Sequence, residues 1–269
     1  MNEHGSDSTP VRFETRGHVA VITLNRPEAM NAVNGALATA VGEALESAAA
    51  DPQVRAVIII GTGRAFCAGA DLKELAAGRS ILSATPEWGF AGLVNHWIDK
   101  PLIAAVNGFA MGGGTEIALA CDLVVASERA VFGLPEVKRG LLAAAGGVVR
   151  LQRQIPLKRA LELALVGDGV EAATALDWGL INRVVPHERV FEEAMELAER
   201  IAANAPLSVR ETKRAIYGAA AAGSDWSLPW SDDPWEVNRA ARDVVFASRD
   251  AREGPTAFAQ KRPPVWEGR

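Results

Sequence analysis

Five short apolar runs recur along the chain: VAVITL (19–24), VRAVIII (54–60), LIAAV (102–106), LVVA (123–126) and INRVV (181–185). Their length and β-branched content suit strands of a sheet interior. Between several of them the period changes. In GALATAVGEALESAAA (35–50), Leu37, Val41, Ala44, Leu45 and Ala48 share one helical face, and Val190, Phe191, Ala194, Leu197 and Ile201 do the same later. Strands alternating with helices predict an α/β core. Beyond about residue 188 the pattern holds helices and loops without a convincing strand, so the last third reads as a helical appendage. Two segments fit neither pattern. Residues 76–92 read as a mobile loop or short lid. Residues 223–235 are turn-rich and hold three of the seven tryptophans, most simply packing or subunit-interface residues.

Composition narrows the function classes. A chain of 269 residues with 49% hydrophobic and 23% charged residues can bury a sizeable core. Its net charge of −5 and lack of a basic run give no electrostatic footprint for nucleic acid or an anionic membrane. No apolar stretch approaches the roughly 18 residues a membrane span needs, and the start, MNEHGSDSTP, lacks a signal-peptide layout. Cys67 and Cys121 are too few for a disulfide framework, which fits a reducing, cytoplasmic setting. Neither has a metal-ligand set nearby in sequence.

The stretch GFAMGGGTEIALACD (108–122) sets three glycines before a glutamate that enters an apolar run. Neither it nor GTGRAF (61–66) fits a nucleotide signature: Phe66 stands where a dinucleotide fingerprint needs its third glycine, and GGGTE has no following GK[ST]. If a helix starts at Gly114, the amides of Gly112 to Gly114 point out of its N-terminus, free to donate to a developing negative charge. The plainer alternative is a tight strand-to-helix turn with packing needs only. Glu116 is costly to bury unless paired or functional, although a first-turn glutamate also favours the helix dipole. Twenty residues on, Pro135 fixes the approach of Glu136, and two carboxylates in weakly polar surroundings can divide acid and base roles. Spacing alone does not bring them together.

Five motifs taken in order do. RAFCAGADLKEL (64–75), AAVNGFAMGGGTEIALACD (104–122), FGLPEVKRG (132–140), NRPEAMNAV (25–33) and EGPTAFAQKRPP (253–264) resemble the crotonase superfamily, the enoyl-CoA hydratase/isomerase family, over nearly the whole chain. The resemblance implies a crotonase-like spiral of ββα turns over residues 1–200 and a C-terminal helical oligomerisation region over 201–269, building a homotrimer or homohexamer. It implies an acyl-CoA thioester substrate, with coenzyme A as part of the substrate rather than a cofactor, and no metal. It assigns the oxyanion-hole amides to Ala68 and Gly113 and the water-holding catalytic carboxylates to Glu116 and Glu136. Glu116 would orient and deprotonate the water, and Glu136 would exchange the proton at C2. Binding contacts carried over in the same way are Glu28, Ala29, Ala68, Ala70, Asp71, Leu72, Gly112, Gly113, Pro135 and Lys261. Lys261 with Arg262 reads equally well as a solvated terminal pair.

The implied reaction is reversible hydration of an enoyl-CoA. Isomerisation or racemisation through the same enolate, a non-catalytic acyl-CoA-binding protein and, more distantly, a Rossmann-type dehydrogenase are the competing readings. FAQKRPPVWEGR (258–269) and DKPLIAAVNGFAMGGG (99–114) are further similar to carnitinyl-CoA dehydratases, the crotonobetainyl-CoA hydratases. LLAAAGG (141–147) departs from the proline-containing stretch of many hydratases and leaves the acyl group open. His96 reads as a structural histidine, and Cys67 as a small packing residue.

Overall fold

The computed structural model describes residues 9–219, 239, 242, 243 and 246–265; the tryptophan-rich segment 223–235 lies outside them. Every apolar run named above supplies a strand of one six-stranded sheet. Across it the order is β1 (Val11–Arg16), β2 (Val19–Leu24), β3 (Ala56–Gly61), β5 (Leu102–Val106), β7 (Leu123–Ser127) and β10 (Arg183–Val185). Only β1 runs antiparallel to its neighbour. Both faces of the inner strands are covered. Val19, Ile58, Ile103 and Val125 pack against Val190, Ala194 and Ala198 of α7 (Val190–Ala202). Ile22, Val57, Ile59 and Leu102 belong to the larger core with Leu37, Val41 and Leu45 of α1 (Gly35–Ala50). Burial on two sides is why these strands read as unbroken apolar runs.

A second sheet consists of β4 (Ala65–Cys67), β6 (Phe109–Met111), β8 (Val131–Gly133) and β9 (Val170–Glu171). The chain repeatedly passes from a long strand to a short one and then into a helix. β3 and β4 lead to α2 (Leu72–Ala76), and β5 and β6 lead to α3 (Gly113–Ala120). β7 and β8 lead to a 3₁₀ turn, Pro135–Arg139, and α4 (Gly147–Gln154). This is the ββα spiral. The short strands were not visible in the sequence because two or three residues carry no period. β1 was also missed: five of its six residues are exposed, so it lacks an apolar face.

The segment 76–92 begins with the last residue of α2 and then lies along α1. The Ala84 amide donates to Thr39 Oγ1 (2.9 Å), and the Trp88 ring lies over Gly42. Trp88 also stacks on His96, whose ring nitrogens meet the Gly92 carbonyl (3.1 Å) and Glu46 Oε1 (2.8 Å). His96 is therefore a structural residue of this loop. After β10 the described residues are helical apart from turns and connections: α7, α8 (Pro206–Ala219) and α9 (Asp250–Ala259) follow α5 (Leu157–Val166) and α6 (Ala172–Asp177). Lys213 of α8 is buried against Asp122 (2.8 Å) at the head of β7, and Tyr217 donates to the same carboxylate (2.9 Å).

Candidate active site

The C-terminal ends of β4, β6 and β8 hand over, one after another, to the predicted site residues. After β6, Gly112 takes φ +57°, outside the range of most side chains, and starts α3. Gly113 is the first helical residue and has no intrahelical acceptor for its amide. Glu116 follows in the first turn, 3% exposed. After β8, Pro135 opens the 3₁₀ turn that carries Glu136. A Cβ on Gly112 would stand 3.0 Å from Glu136 Oε1, so that carboxylate lies directly over the start of α3. Glu116 and Glu136 thus converge on one helix end.

Their surroundings differ. Burial drives the Glu116 carboxyl well above the ordinary carboxylate range, and the nearby Glu136 pushes it further. The amides of Gly147 (2.8 Å to Oε1) and Ala145, with the Arg150 guanidinium, pull the other way. Glu136 is likewise raised by burial; its own backbone amide gives partial relief, and its Oε2 is buried without a hydrogen-bond partner. Two carboxyls in this setting titrate as a pair. The donors on Glu116 offset only part of its burial, and both carboxyls stay above the ordinary carboxylate range.

The loop after β4 corrects one expectation. The Ala68 amide donates to the Met30 carbonyl (3.0 Å), so it is not available as an oxyanion donor. Two residues on, Val33 bridges the loop: its amide donates to Gly69 O (2.8 Å) and its carbonyl accepts from Asp71 (2.9 Å). In a parallel bridge the residue between those partners turns its own amide the other way, and the Ala70 amide has no acceptor among the described residues. Gly69, at φ +91°, lets this loop reach α3: a Cβ there would lie 3.0 Å from the Gly113 nitrogen. Neither the Ala70 nor the Gly113 amide has an acceptor among the described residues.

Asp71 supports the loop from behind. Its amide and carbonyl are engaged by Val33 and Leu75, and its carboxylate caps α2 at Lys73 and Glu74 and pairs with Arg26 (3.0 Å). Its side chain therefore braces the loop. Leu72 opens α2, and Glu28 and Ala29 sit in a 3₁₀ turn, Pro27–Ala29, whose Pro27 lies against Gly63. Lys261 follows α9, exposed, while Arg262 is taken by Glu253 (2.5 Å). α9 packs on α2 and on the turn bearing Glu136: Gly254 abuts the Arg139 carbonyl, and Phe258 lies under the Arg139 guanidinium (4.7 Å).

Three contributors were not foreseen. Gly147 opens α4 and holds Glu116; the GG of AAAGGVV was its sequence signal. Arg150, one turn later and fully buried, donates to the Val94 carbonyl (2.5 Å). A lone arginine in GVVRL was a visible cue for it. Phe90, 7% exposed, packs its ring on Gly113. Nothing in the sequence indicated that contact, because Phe90 lies in the segment that had no period. Two open grooves elsewhere, about 730 Å³ beside Phe191 and Met195 and about 520 Å³ beside Ile216 and Tyr217, share none of these residues.

A ββα spiral whose short-strand ends set amides without acceptors beside one buried and one half-buried carboxylate suits an enzyme class that stabilises charge on a carbonyl oxygen while protons move next to it. Residues 14–269 match the family described as Enoyl-CoA hydratase/isomerase, and the chain belongs to that family of enzymes acting on CoA thioesters. It is similar to the solved carnitinyl-CoA hydratase of Mycobacterium avium, with 56% identity, 97% and 99% of the two chains covered and a TM-score of 0.90. The enoyl-CoA hydratase of Mycobacterium tuberculosis H37Rv is 41% identical, with 97% and 100% covered and a TM-score of 0.76. Among relatives, carnitinyl-CoA dehydratase of Salmonella typhi is 40% identical over 267 residues, 97% of this chain and 100% of that one. Mevalonyl-coenzyme A hydratase of Beauveria bassiana is 41% identical over 261 residues, 93% and 91% respectively.

Proposed function

We propose that this enzyme adds water reversibly across the 2,3 double bond of an enoyl-CoA thioester. The observation that carries the reading is the convergence of Glu116 and Glu136 at the N-terminus of α3. In this reading the thioester oxygen accepts from the Ala70 and Gly113 amides, where charge develops as the enolate forms. Such a pair of donors lowers the barrier by several kcal/mol, and removing one of them costs about 3 kcal/mol. Glu116, held by Gly147 and Ala145, takes a proton from the water that attacks C3. Glu136 delivers a proton at C2. Dehydration of a 3-hydroxyacyl-CoA runs the same steps backwards.

Similarity to carnitinyl-CoA dehydratases and hydratases supports crotonobetainyl-CoA as the acyl variant to try beside crotonyl-CoA. We read the assembly as a homotrimer or homohexamer in the cytosol. In support, α5 exposes Leu157, Leu161 and Leu165 at helical spacing, an apolar stripe that another subunit would cover. Among the described residues no helix is long and apolar enough to cross a membrane.

The test is loss of the conjugated enoyl-thioester absorbance on adding crotonyl-CoA or crotonobetainyl-CoA, with Glu136→Gln in parallel. Loss by wild type that the substitution abolishes is the expected result. Exchange of the C2 proton without net water addition would favour isomerisation or racemisation instead. Tight thioester binding with neither would leave a binding protein.

A further inference from the structure

The unassigned loop between α2 and β5 is moulded onto α1 at small residues. Gly35 faces the carbonyls of Ser80 and Leu82, and Thr39 holds Ala84. Gly42 lies under Trp88, where a Cβ would stand 2.1 Å from the indole. Gly92 (φ +66°) presses against the Ala38 carbonyl, where a Cβ would stand at 2.0 Å. Between Trp88 and Gly92 the backbone is bent hard: Gly89 takes φ +72° and Ala91, a non-glycine and buried, takes φ +58°. A non-glycine residue in that region is strained and persists only where its surroundings over-determine it. Here the Leu82–Phe90 bridge, the Leu93 and Val94 amides on the Phe90 carbonyl (3.2 and 3.1 Å) and the Trp88–His96 stack hold the bend.

The bend delivers Phe90. A Cβ on Gly113 would stand 2.3 Å from Cε1 and 2.5 Å from Cζ of its ring, so the ring is in contact with the α-carbon of Gly113. In the proposed function, on which this inference rests, the Gly113 amide holds the thioester oxygen at about 2.9 Å. The carbonyl carbon is one bond farther, about 1.2 Å, and C2 is bonded to it. C2 therefore lies within about 6 Å of the Gly113 nitrogen, at the helix end against which the Phe90 ring packs.

We propose that Phe90 is a specificity-determining residue. Its ring closes the space beside C2 of the acyl group, so the enzyme accepts CoA thioesters unsubstituted at C2 and rejects those carrying a methyl branch there. A close-packed aromatic wall on a strained, over-determined loop does not yield to one added methyl, and such a group in a tight apolar site discriminates by roughly 10–200-fold.

The experiment compares butyryl-CoA with 2-methylbutanoyl-CoA by calorimetric binding, and crotonyl-CoA with 2-methylcrotonyl-CoA by hydration rate. Wild type, Phe90→Leu and Phe90→Ala are measured, with folding checked by thermal melts. Wild type is expected to favour the unbranched ester by at least about tenfold. Phe90→Ala is expected to erase most of that preference, and Phe90→Leu to erase part of it. A wild type that binds both esters equally overturns the proposal, as does a folded Phe90→Leu or Phe90→Ala that keeps the full preference. Failure of wild type to bind any of these acyl-CoA esters overturns the proposed function as well. Binding without hydration overturns hydration alone and leaves the binding comparison to decide on Phe90.

Discussion

The two sheets divide the molecule's work. The six-stranded sheet has inner strands of five or six residues, buried on both faces, and none of its strands contains a site residue. The four-stranded sheet has strands of two or three residues, yet its ends release Ala70, Gly113, Glu116 and Glu136. Apolar area removed from water governs the first. Backbone geometry governs the second, where glycines at 69 and 114 let main chain meet main chain and Gly112 leaves room for the Glu136 carboxylate. Stability and chemistry should accordingly respond to different substitutions.

The widest separation is expected at Glu136→Gln. Loss of the C2 acid should lower the hydration rate by about 10²–10⁴-fold, while the melting temperature does not fall. A rate within about tenfold of wild type would remove Glu136 from the chemistry and with it the contrast between the sheets. Ile58→Ala makes the opposite demand. Ile58 is fully buried between β3 and α7, and its truncation should cost about 2–5 kcal/mol in denaturant unfolding. The turnover of the folded fraction should stay within about twofold. A matching fall in turnover would show that the large sheet tunes the site after all.

Gly114→Ala sharpens the comparison at the joint. A Cβ there would stand 1.9 Å from the Cys67 carbonyl oxygen, forcing α3 away from β4. The clash should cost about 1–3 kcal/mol of stability and displace the Gly113 amide, so both readouts should fall together. Unchanged turnover would mean that the loop after β4 takes no part in holding the thioester oxygen.

The same division decided what the sequence disclosed. Strands β2, β3, β5, β7 and β10 and helices α1 and α7 were legible because burial on broad faces imprints a period or an apolar run. Glu116 and Glu136 stood out as carboxylates beside glycine or proline, and motif resemblance rather than spacing joined them. The Ala68 assignment failed for a reason no side chain records. Which of three successive amides is free depends on Met30 and Val33, some 35 residues earlier, accepting and donating across the loop. Phe90 was hidden likewise, since its position depends on three positive-φ residues and on small residues of α1 that read merely as helix interior.

The smallest expected effect concerns the stability of the carboxylate pair, and its sign is opposite to that of most core changes. Both carboxyls are raised above their unfolded values by burial. Between the unfolded value, about 4.3, and the raised ones, the folded chain holds protons that the unfolded chain has released. Stability therefore declines as pH climbs through that window and stays reduced above it. Glu136→Gln removes one of the two charges that become crowded as the pair ionises. The variant should match wild type near pH 4, below the unfolded value, and exceed it near pH 8 by on the order of 1 kcal/mol, roughly the free energy of a tenfold change in proton affinity. Urea unfolding of both proteins at the two pH values gives the difference directly. If it does not grow with pH, Glu136 is ionised at little cost, and the dry, shared-proton site at the end of the small sheet is wrong.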